Sequence, residues 1–202
     1  MVSAILTVDQ RGSQTGPDLV PAALDQLNSP ALRRTTRAFE RTAGDEIQGV
    51  LDDGAAVVER IALLLRASNW NIGLGLGAVE LPLPSSTRAG RGEAFVLARQ
   101  AVNRAKQQQS RVGVVGASAY RADQIETVAW LWAGVLNRRS DRGWEVADLF
   151  TEGLTHAEAA QRLGISQSAV SQRAQAAGLV EADRAAKLLR ELIDDALAEE
   201  AP

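Results

Sequence analysis

Two sets of residues in this chain have the types and spacing to do chemistry. The first is a run of uncharged donors and acceptors, Ser166, Gln167, Ser168, Ser171, Gln172 and Gln175, with Arg173 among them. At 3.6 residues per turn, 168, 171, 172 and 175 fall on one side of a helix. A glutamine amide can donate to and accept from adenine at once, and a serine hydroxyl can take either role. Such a side suits base edges in a major groove. Arg173 would reach a backbone phosphate, and free amides near Ser166 would offer a second phosphate contact. The alternative is the ordinary polar surface of a helical hairpin.

The second set is the carboxylate pair Asp9 and Asp45. Asp9 follows an apolar run at 4–8 and precedes Gly12 and Ser13. Asp45 follows Gly44. If both segments are strands lying side by side, the two carboxylates approach each other and can hold Mg²⁺, which in turn holds nucleotide phosphates. Amides at Gly12 and Ser13, ahead of a helix, could receive a phosphate. The alternative is turn chemistry, because Asp after Gly is common at a hairpin tip.

The polar run needs a helix pair to present it, and the local signals predict one. Thr155 followed by Glu158 reads as a capping box. Ala159, Ala160 and Leu163 give an inner face, and Gly164 supplies a turn with positive φ. Ile165 sits beneath that turn, and Ser166 is a good N-cap for the second helix. Val170 and Ala174 face inward, and Gly178 ends the helix. An amphipathic helix is expected over 182–198, with Ala185, Leu188, Leu189, Leu192, Ile193, Ala196 and Leu197 on its stripe. It packs either in the core or in a dimer seam. Three of the four tryptophans lie between 130 and 144, as expected of core anchors.

The carboxylates need strands. Residues 4–8, 37–42, 47–51, 70–79 and 111–115 read as strands, and 17–27, 54–67 and 93–107 as helices. The order βαββαβαβ predicts a mainly antiparallel sheet with helices on one face. Gly73, Gly75 and Gly77 share one face of their strand, where a helix or another subunit could come close.

Composition narrows the classes. The 202 residues are 46% hydrophobic, contain no cysteine and one histidine, and carry a formal net charge of −3. Disulfide frameworks, thiolate metal sites and cysteine catalysis are excluded. No apolar run approaches the length of a membrane span, and the N-terminus lacks a basic region, so the expected location is the cytoplasm. DNA binding must be local, because bulk charge does not favour it. Between 141 and 180 there are five acids and three arginines. Two copies in a homodimer, helped by Arg138 and Arg139, would offset that.

On these residues, the segment from 141 to 180 resembles the helix-turn-helix of bacterial regulators and of the promoter-reading region of sigma factors. The patterns Asp9-Gln-Arg-Gly-Ser13, Thr42-Ala-Gly-Asp45-Glu46, Gly73-Leu-Gly-Leu-Gly77 and Gly92-Glu-Ala-Phe-Val-Leu-Ala-Arg99 resemble the SatD family over most of 1–117. Beyond that they are similar to the palm-like domain of class III nucleotidyl cyclases, and more distantly to GGDEF domains. The resemblance implies Asp9 and Asp45 as metal ligands and Arg99 as the arginine that stabilises the transition state. Phe95 stands where a cyclase has asparagine and cannot orient a ribose hydroxyl.

The expected fold is α+β. A ferredoxin-like or cyclase-like α/β sandwich over 1–117, a sensor or dimerisation unit, precedes an all-α domain over 118–202 with the helix-turn-helix at 155–177. The expected protein is a dimeric transcription regulator that binds double-stranded DNA under the control of a nucleotide. The rival expectations are a metal-dependent nucleotidyl cyclase with a DNA-binding appendage and a protein-interaction scaffold.

Overall fold

A computed structural model gives the architecture and describes residues 1–198. Among them, β1 (Val2–Gln10), β2 (Arg37–Ala43), β3 (Glu46–Leu51), β4 (Trp70–Ala78) and β5 (Val112–Gly116) form one sheet in the order β2-β3-β1-β4-β5. β1 is central and antiparallel to both neighbours, whereas β4 and β5 are parallel. Ala4, Ile5, Leu6 and Val8 are fully buried, as a strand covered on both faces requires.

The helices are α1 (Val20–Leu27), α2 (Gly54–Ala67), α3 (Glu93–Ala105), α4 (Ala119–Leu136), α5 (Asp141–Thr151), α6 (His156–Leu163), α7 (Gln167–Ala176) and α8 (Leu179–Ala198). They do not all lie on one face, which corrects the expectation. Ala4, Leu6 and Val8 point into a cluster with α1, α2, α4 and α8. Ile5 points the other way, into a smaller cluster with Ala94 and Ala98 of α3. The glycines of β4 explain why α3 can lie there. A Cβ on Gly73 would stand 2.2 Å from the Val102 amide nitrogen, and one on Gly75 would stand 2.3 Å from that of Ala98. Helix and sheet therefore meet backbone to backbone.

The main apolar cluster runs across position 117. Ile125 and Trp132 of α4, and Leu189 and Ile193 of α8, lie in it with the sheet residues. Burying each of these side chains stabilises by about 1.5–3 kcal/mol. The α8 stripe is thus covered by its own chain, apart from the exposed Leu188. A carboxylate oxygen of Asp194 on α8 also accepts a hydrogen bond from the Gly54 amide at 2.7 Å. That places a negative charge at the N-terminus of α2, where the helix dipole favours it. By contrast, α5, α6 and α7 enclose a core of their own, built on Val146, Leu149, Ala159, Ala160 and Val170.

The tryptophans divide. Trp132 is buried as expected, but Trp130 is 37% exposed and its indole N–H donates to the Val112 carbonyl at 2.7 Å. Together with Glu126, which accepts from the Val114 amide at 2.9 Å and pairs with Arg104, it occupies the outer edge of β5. Such cover blocks strand addition there. No helix among the described residues is long and apolar enough to cross a membrane.

Candidate nucleic-acid interface

The helix pair is held by contacts within a few residues. The Thr155 hydroxyl accepts from the Glu158 amide at 3.3 Å, and the Glu158 carboxylate accepts from the Thr155 amide at 2.8 Å. That amide, and the Thr155 hydroxyl donating to the same carboxylate at 2.7 Å, hold the Glu158 carboxyl below its ordinary value of 4.5. Gly164 closes α6 at φ 65° and Gly178 follows α7 at φ 59°, both in the left-handed region that favours glycine. The Ser166 hydroxyl caps α7 by accepting from the Ala169 amide at 3.2 Å.

With Val170 fully buried, the opposite side of α7 faces out. Ser166, Gln167, Ser168, Ser171, Gln172 and Gln175 are all exposed, in the arrangement the periodicity implies. Arg173 is different. Its side chain is only 25% exposed, lies 3.5 Å from Glu145 of α5, and sits on the flank of the packed side. Arg139 also turns inward: it stacks on Trp144 and donates to the Ala177 carbonyl at 2.9 Å. Arg138 is exposed and donates to the Gly134 carbonyl of its own helix. Arg138, Arg142 and Arg162 are exposed.

The second candidate site lies where β1 ends. Strand register sets Asp9 opposite Glu46 on one side and Asn71 on the other. The Gln10 amide donates to the Asp45 carbonyl at 3.2 Å, which brings the hairpin tip alongside. A cleft of about 570 Å³ gathers Asp9, Gly12, Ser13 and Asp45 with Asn71, Lys106 and Arg111. Arg99 does not line it. That guanidinium bonds to Glu46 at 2.9 Å, and Phe95 packs in the small cluster on the α3 face. Gly12 and Ser13 are turn residues, and α1 starts only at Val20. Their amides are not those of a helix N-terminus.

The donor set here suits a divalent ion poorly. The Asp9 carboxylate lies 2.8 Å from the Lys106 ammonium and accepts from the Asn71 amide at 3.3 Å. Among the described residues no three metal-binding side chains cluster anywhere. Mg²⁺ usually keeps an octahedral oxygen shell, and an ammonium already neutralises one of the two carboxylates on offer. Lys106, Arg111 and Asn71 escape sequence reasoning, and Glu46 enters it only as the neighbour of Asp45 in the hairpin-tip pattern. Arg111 alone carries an unusual backbone, at φ 59°, and no residue pattern announces it.

Residues 146–177 match the family described as Sigma-70, region 4, a helix-turn-helix DNA-binding module. The match spans α6 and α7 and most of α5. Neither the curated proteins nor the solved structures contain a match to the chain.

Proposed function

We propose that this protein is a dimeric transcription regulator that reads double-stranded DNA with α7. The observation that carries this reading is the exposed row Gln167, Ser168, Ser171, Gln172 and Gln175, on a helix capped by Ser166 and set between the glycine turns at Gly164 and Gly178. A paired module is needed because one copy has little phosphate attraction. With five acids and three arginines between 141 and 180, and Arg173 already paired, counterion release from one module is small. Two modules would read half-sites about 34 Å apart.

The test is direct. Genome-wide mapping of bound DNA supplies the fragments, and fluorescence anisotropy then measures affinity for them at fixed salt. Gln172→Ala is expected to weaken binding about 10- to 100-fold, the worth of one bidentate base contact. Unchanged affinity in a folded variant would end the regulator reading and leave the scaffold in its place.

A control input forms part of the proposal. The cleft at the end of β1 carries Lys106 and Arg111 beside the turn at Gly12 and Ser13, a setting suited to the phosphates of a nucleotide. A nucleotide there would act by favouring one of two arrangements of the paired modules. A melting shift with ATP or GTP, compared in EDTA and in Mg²⁺, measures the input and its metal dependence. A search for cyclic product under the same conditions tests the cyclase alternative.

A further inference from the structure

The apolar stripe of α8 is taken up by the chain's own core, so a face for pairing two copies must lie elsewhere. The outward side of α4 is such a face. Tyr120, Asp123, Thr127, Trp130 and Leu131 are exposed along it, at the three- and four-residue steps of one helix side. Tyr120 is 73% and Leu131 69% exposed. Large apolar side chains left in water along one side of a helix mark a contact surface. The two aromatics are already fixed. The Trp130 indole donates to the Val112 carbonyl, and the Tyr120 hydroxyl accepts from the Gln124 amide at 3.2 Å. Side chains held in this way lose little freedom on binding. Gly134 follows on the same side. A Cβ there would meet no atom within 4 Å, so the position is a notch open to solvent.

Charge and shape along this side fit a second copy of the same side. The acid Asp123 stands near the start of α4, and the cation Arg138 stands in the turn just past its end. Arg138 donates its Nε to the Gly134 carbonyl at 2.8 Å, which holds its stem on the same side. In a two-fold contact every pairing occurs twice. With two α4 helices antiparallel and the axis between Trp130 and Leu131, Asp123 meets Arg138 of the partner subunit. In that register Leu131 meets Trp130 of the partner subunit, and Thr127 enters the notch at the partner's Gly134. A parallel arrangement would instead set Asp123 against Asp123 and Arg138 against Arg138, and like charges oppose it.

We propose that the outward side of α4 is the seam of a homodimer, with the two helices antiparallel, Trp130 and Leu131 at the two-fold axis and the Asp123–Arg138 pairs at its ends. The proposal rests on the regulator reading for its purpose, because it supplies the pairing that the recognition helices need. The contact itself does not require DNA. A seam built on one helix from each copy is small, so the dimer is expected to form with a dissociation constant on the order of 10 μM.

The test measures self-association of the full chain without DNA, by sedimentation equilibrium. Leu131→Asp places two carboxylates at the axis and should weaken the dimer about 100-fold or more. Asp123→Arg and Arg138→Asp each turn two attractions into repulsions and should each weaken it about tenfold. The two single-charge variants, mixed, should form a heterodimer about tenfold tighter than either forms with itself, since each then meets the opposite charge. A residue that only supports its own helix would give no such rescue. Three results each overturn the proposal: a wild-type chain still monomeric at about 200 μM, a dimer that survives Leu131→Asp, or a mixture that associates no more tightly than its components. If Leu131→Asp fails to fold, the wild-type measurement and the mixed charge variants still decide. A dimer that survives these changes pairs through another face and leaves the regulator reading standing. Failure of Gln172→Ala to weaken DNA binding leaves the self-association results untouched.

Discussion

The α5–α7 unit and the end of β1 keep their polar side chains in opposite states. On α7 the glutamines and serines face water, and the serines make short-range contacts within the turn, such as the 2.9 Å approach of Ser166 and Ser168. At the end of β1 the two strand carboxylates already have partners: Asp9 has Lys106, and Glu46 has Arg99 and Thr42. Those carboxylates are also less exposed, with 15% of the Asp9 side chain and 12% of the Glu46 side chain accessible. A surface that exchanges only water can meet a macromolecule at low cost. A site whose charges are paired must give up partners before it binds anything, and each bond lost in a half-buried place costs more than one lost in water.

The same contrast separates the ways the two regions are built, and substitutions can probe it. The largest effect is expected at Gly75, where a Cβ would stand 2.3 Å from the Ala98 nitrogen and 2.4 Å from the Ala94 carbonyl oxygen. These are backbone atoms of α3 and cannot rotate aside. Gly75→Ala should cost about 3 kcal/mol or more, read from the denaturation midpoint, and should loosen the sheet throughout. A midpoint within error of wild type would mean that α3 can retreat and that the sheet unit is not rigidly built.

Damage to the helix pair should be smaller and should stay local. Gly164→Ala meets no atom within 4 Å but must hold φ 65°, at a cost of about 1–2 kcal/mol. Hydrogen exchange is expected to quicken in α6 and α7 while β1 is unchanged. Quickening in β1 would show that the two cores unfold together.

Thr155→Ala removes the cap and should cost about 1 kcal/mol. Its pH dependence has a definite sign. The folded state holds the Glu158 carboxyl below 4.5, so the stabilisation is complete above that value and fades as pH falls through the lowered one. Wild type and Thr155→Ala should therefore differ more at about pH 7 than at about pH 3, by thermal melting. An unchanged gap would remove Glu158 from the cap.

The smallest effect is expected at Asp148→Ala. The Arg66–Asp148 pair joins α2 to α5 across the two units, but its side chains are 44% and 47% exposed. Water and salt screen it, and the loss should stay near about 0.5 kcal/mol. A larger loss would show that the two regions lean on each other more than their separate cores imply.

The helix pair was legible in the chain because its determinants lie within four residues of one another. Thr155 and Glu158, Gly164, Ser166 and Val170 each act on their own turn of backbone, and the geometry follows from them. The exposure of the glutamine row follows from the same periodicity. The direction of Arg173 did not, because Glu145 on another helix draws it away. The strand-end cleft was half legible. Residue types marked Asp9, Gly12, Ser13 and Asp45, which the fold brings together. Lys106 and Arg111 were invisible, since the docking of α3 on the glycine face delivers the first and the pairing of β5 with β4 delivers the second.

Sequence by itself determined the caps, the positive-φ turns, the alternation of elements and the polar face of α7, because each rests on hydrogen bonds and sterics between near neighbours. Tertiary structure alone decided which side of the sheet α3 takes, that the α8 stripe is core, and which cation answers each carboxylate. Those partners stand far apart along the chain, 53 residues for Arg99 and Glu46, 82 for Arg66 and Asp148, and 140 for Gly54 and Asp194. Only the closing of a shared core sets such distances, and no local pattern of residues encodes them.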